Sequence, residues 1–208
     1  MQKQRFQELL QWPDYIITCF GHDNATHWER ALLWATAALD GASKVVIIAA
    51  AQALLKYLKI ATSPAQAFVA VDLSRALKTI DAENTEDRVS ITTRRPGAGQ
   101  AVLNHVYREF PDLREVLLDW LASLPSVPGV GPAYADLVSR RLQALAIEAD
   151  AAEVLEKAER MLGTDSKNHS LTVSLLTAAA LDERLRTPAR ELNCGPGLAG
   201  LSQHNNAS

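Results

Sequence analysis

Cys19, His22, Asp23 and His27 are the densest group of side chains that could ligate a metal. The two histidines stand five residues apart, which matches no pair on one helix face, and Cys19 lies inside the apolar run YIITCF. A stable site needs three or four ligands and an outer shell that orients them, so His22 and His27 read as loop and cap residues and no metal is expected. His105 falls on the polar flank of a helix beside Arg108 and Glu109, a surface position, and His169 precedes the cap residue Ser170 in a turn. The sequence holds no phosphate-cradling Gly-x-x-x-x-Gly-Lys-Ser/Thr loop, no His-Glu-x-x-His and no Gly-x-Ser-x-Gly. No Ser or Cys stands in sequence beside a base that would activate it. The chain therefore reads as non-catalytic, without a cofactor or a small-molecule substrate. Trp12, Trp28, Trp34 and Trp120 are not interleaved with basic residues, as a base-stacking platform would be, and read as packing residues.

A different chemistry is open to Val127-Pro128-Gly129-Val130-Gly131-Pro132, followed by Ala135 and Leu137-Val138. This hydrophobic-Gly-hydrophobic-Gly turn resembles the hairpin of helix-hairpin-helix DNA-binding modules, over Leu117 to Leu142. The resemblance implies backbone N–H groups offered to a phosphate at a helix N-terminus. Gly129, Val130 and Gly131 would then be the nucleic-acid contacts, with Arg140 and Arg141 adding charge. The chain departs from that family at Pro132-Ala133-Tyr134-Ala135-Asp136, where a basic or hydroxyl residue is usual and Asp136 would repel phosphate. Without the resemblance, the same residues are a Pro/Gly turn between two helices. That plainer reading is favoured, because non-specific DNA affinity rests on several cationic contacts.

The elements around these residues are helical. In Ala101 to Phe110, Val102, Val106 and Phe110 recur at helical spacing, widened by Leu103 and Tyr107. Pro111 lacks an N–H and should end that helix near Phe110. Asp112, with Glu115 three residues on, should cap a second helix whose apolar face is Leu113, Val116, Leu117, Trp120, Leu121 and Leu124. Upstream, Thr26 and Glu29 form a capping box for a helix buried along Trp28, Leu32, Ala35 and Leu39, stopped at Gly41. Ser43 opens a helix from Lys44 to Ile60, and Ser63-Pro64-Ala65-Gln66 starts another that runs to about Ile80. Residues 14–20 fit strand or buried helix, with helix preferred. Asp81 to Gly99, acidic early and basic late, reads as a long loop that either docks a partner or is simply mobile. A helix from Pro132 to about Ile147 follows the glycine turn. Asp150 with Glu153 opens one more, Ser170 to Leu181 forms the next, and Thr187-Pro188 begins a last one.

Composition agrees with these elements. Ala and Leu dominate a hydrophobic fraction of 48%, and only 10 glycines occur in 208 residues, which favours closely packed helices. A net charge of −3 sets up no global positive field toward nucleic acid or anionic lipid. Two cysteines far apart, Cys19 and Cys194, and an N-terminus too polar for a signal peptide point to a reducing, cytoplasmic setting. The most apolar run, Val45 to Leu55, is broken by Gln52 and falls short of the roughly 20 residues of a membrane span.

The expected fold is all-α, an α-solenoid-like stack of helical hairpins of the HEAT or armadillo kind, with an irregular bundle as the alternative. Residues 1–192 form the helical domain, divisible into 1–80 and 100–192 about the loop 81–99, and 193–208 is a disordered tail. From Gln100 onward, the patterns Leu103 to Leu124 and Leu175 to Glu191 resemble the C-terminal regions of large bacterial multidomain signalling proteins, in which an NTPase-like module precedes a HEAT-like array. That resemblance covers about half the chain, which departs from it by lacking the NTPase module; the stop just as Thr187-Pro188 begins a new helix points to a fragment of something longer. The expected function is a scaffold or protein-interaction module.

Overall fold

The computed structural model describes residues 25–60, 73–93, 95–148 and 154. Among these, six α-helices and one two-stranded sheet occur, so the described chain is predominantly helical. Helix α1 (His27–Ala38) opens on the expected capping box. The Thr26 hydroxyl accepts from the Glu29 amide at 3.2 Å, and the Glu29 carboxylate accepts from the Thr26 amide at 2.8 Å, so two of the four orphan donors at this helix start are satisfied. Leu32, Leu33, Ala35, Ala37, Ala38 and Leu39 are buried, and the helix is central: it packs on four other helices introduced below.

Helix α2 (Lys44–Tyr57) starts at Ser43, whose hydroxyl accepts from Val46 N, and ends three residues before the expected Ile60. Of the helix expected from Ser63 to Ile80, its first part lies outside the described residues; α3 (Leu73–Thr79) is its observed end. Helix α4 (Ala98–Glu109) stops where Pro111 requires. The next helix, α5 (Arg114–Ser123), does not start as expected. Pro111–Leu113 forms a 3-10 turn, and Leu113 precedes α5 with no side-chain cap, so Asp112 does not cap it. Proline at the first position sets the tighter turn, which spends Leu113 N on Phe110 O at 2.9 Å. Phe110 is also displaced from the expected stripe; it is 39% exposed.

The largest departure lies in 81–99, which is no featureless loop. Strands β1 (Glu83–Thr85) and β2 (Arg88–Ser90) pair antiparallel with Asn84 opposite Val89. Glu86 in the two-residue turn has φ +56°, the sign that such a hairpin turn needs at its first central position. The α1–α2 connection then lies along β2. Gly41 N donates to Val89 O, Val89 N to Ala42 O and Lys44 N to Asp87 O, each at 2.9 Å. The physical reason is period two: Val89 and Ile91 point into the core, at 1% and 2% exposure, from an otherwise polar stretch. At the base of this excursion Arg95 pairs with Asp81, so part of the acidic-then-basic charge is matched internally.

Helix α1 packs on α2 and on α4, α2 touches α5, and α4 touches α5. Helix α6 (Ala135–Glu148) closes on α4, α5 and α1, while α3 lies against α1 and β1. One buried cluster takes residues from both sides of the 81–99 segment. Trp120 sits fully buried in it, donating its indole N–H to Ala50 O on α2 at 3.0 Å, with the Trp34 ring 6.4 Å away on α1.

Candidate functional site

The glycine turn joins α5 to α6 as a helical hairpin. Two 3-10 turns, Leu124–Ser126 and Pro132–Tyr134, flank it, so the expected start at Pro132 becomes a 3-10 turn and α6 proper begins at Ala135. Val127 N donates to Leu124 O at 3.1 Å and Val130 N to Val127 O at 3.0 Å, so the Val130 amide is spent within the turn. Gly129 and Gly131 hold φ of +92° and +84°, conformations in which a side chain is strained. Val130, 7% exposed, anchors the turn in the core. Gly129 rests on α2: a Cβ there would lie 3.2 Å from that of Ala49.

Arg140 and Arg141, expected to act together, diverge. Arg140 is exposed, whereas Arg141 is half-buried and directed to α4. A Cβ built on Gly99 would stand 2.8 Å from Nη2 of Arg141 and 2.6 Å from the Ala37 carbonyl oxygen. Arg141 thus lies at the C-terminal end of α1, where free carbonyls concentrate negative potential. Burial lowers its pKa, the Asp40 charge opposes that shift, and Arg140 adds to it. Its Nε has no hydrogen-bond partner, nor has the buried Oε1 of Gln100, whose amide nitrogen donates to Asn104 Oδ1 at 2.9 Å. Asp136 stays exposed in the first turn of α6, where its negative charge suits the positive end of the helix and disfavours an anion.

Asp40 organises the other side of this cluster. Its Oδ1 accepts from Ile91 N at 2.9 Å, Ser90 Oγ at 3.0 Å and, more weakly, Thr92 N at 3.3 Å; Oδ2 accepts from the Thr92 hydroxyl. The Ser90 hydroxyl in turn accepts from Thr92 N at 3.1 Å and Thr93 N at 3.2 Å. With both oxygens engaged by donors, this carboxylate is a structural acceptor that fastens the hairpin to the end of α1. Sequence reasoning missed Asp40, Ser90, Thr92 and Gly99. The Ser-Ile-Thr-Thr run was a usable sign of hydroxyl-to-backbone turns, but its partner stands about fifty residues away.

His105 is half-buried and not freely exposed, with its ring edge-on to Phe110 at 6.0 Å. Burial lowers its pKa, while Glu109 raises it. Arg114 donates Nε–H to the Tyr107 carbonyl at 2.7 Å, and its guanidinium lies 5.0 Å from that ring's centre. Among the described residues, no group of three His, Cys, Asp or Glu could hold a metal, and no helix is long and apolar enough to cross a membrane. Cys19, His22, Asp23, His169, Trp12 and the tail 193–208 lie outside the described residues. Compared with protein-family models, curated proteins and solved structures, the chain matches none.

Proposed function

We propose that the chain is a non-catalytic helical scaffold that binds other proteins, built as a short HEAT-like stack. The stacking carries this reading: α1 meets α4 and α2 meets α5, first helix on first and second on second, as successive hairpins of a repeat array do. The resemblance of Leu103 to Leu124 to the helical arrays of bacterial signalling proteins agrees with it. The charged groups Asp40 and Arg114 hold elements together through their hydrogen bonds, and Arg141 lies against α4. Large apolar side chains stand outward instead, Val45 at 66% exposure and Tyr57 at 41%. Affinity capture from a cell extract, with the native chain and with Val45→Glu, tests the proposal. At least one protein should be retained by the native chain and lost with the variant, while circular dichroism and melting stay unchanged. Identical protein sets on both baits would sink it.

A second reading, a helix-hairpin-helix nucleic-acid binder, is favoured by one observation. Gly129 and Gly131 both adopt positive φ about the buried Val130, between two helices. Arg140 is the cation available to it, since Arg141 is turned to α4. Fluorescence anisotropy of labelled duplex and single-stranded DNA should show salt-sensitive binding, and Arg140→Ala should reduce the salt slope by about one. Absence of binding at low salt would remove this reading.

A further inference from the structure

We draw no further inference here: the strongest candidate, the half-buried Arg141 guanidinium set over Gly99 at the N-terminus of α4 with its Nε unpartnered, faces the Ala37 carbonyl and the field of Asp40, so that it belongs to the helix-joining cluster already described and nothing beside that helix N-terminus points to a ligand.

Discussion

Gly99 and Gly131 both follow a Pro-Gly step, yet their surroundings demand glycine for different reasons. At Gly131 the demand is conformational, φ +84° with open space where a Cβ would go. At Gly99 it is steric, since backbone of α1 lies 2.6 Å from that point. Alanine at Gly99 would gain helix propensity of about 1 kcal/mol. The Arg141 side chain could swing aside, but the Ala37 carbonyl cannot move without shifting α1, and overpacking of this kind costs about 1–3 kcal/mol. The steric effect should win. Urea unfolding of Gly99→Ala is expected to show a lowered midpoint, with a net loss of up to about 2 kcal/mol. An unchanged or raised midpoint would mean that α1 and α4 are less tightly apposed than the geometry says.

Between elements, the Asp40 carboxylate is the fastening with most at stake. It holds the hairpin strand end to the α1 C-terminus, and Val89 and Ile91 follow into the core. Hydrogen bonds to a charged group contribute about 1.5–3 kcal/mol. In Asp40→Ala the amides of Ile91 and Thr92 lose their acceptor, although Ser90 Oγ remains for Thr92. Amide hydrogen exchange should therefore accelerate at Ile91 by roughly 10- to 150-fold, the same energy expressed as a ratio. Exchange within α4, at Val106 for example, should hardly change. Equal acceleration in both places would show global destabilisation, and none at Ile91 would show that the carboxylate bears no load there.

Across the molecule, Trp120 joins α5 to α2 through its hydrogen bond to Ala50 and meets α1 through Trp34. Trp120→Ala should lower stability by about 3–5 kcal/mol, the range for deleting a buried aromatic side chain. Because the cluster continues across 81–99, helix loss by circular dichroism and loss of Trp120-side packing by near-ultraviolet signals should coincide in one transition. Two separate transitions in the native chain would contradict a shared core. What the sequence by itself determined is local. The Thr26–Glu29 box, the Ser43 cap, the stop at Pro111 and the buried stripes of α1, α4 and α5 are each settled within a few residues by orphan N–H groups, proline sterics and helical period. Tertiary structure alone decided that the polar 81–99 segment forms a hairpin along the α1–α2 connection, that Asp40 serves Ser90, Ile91 and Thr92, and that Arg141 turns from the glycine turn to Gly99. Those partners are remote in sequence, and no local pattern encodes them. They meet because burying the helix stripes brings α1, α4 and α6 together, so that the polar groups left between them face whatever the packing sets opposite.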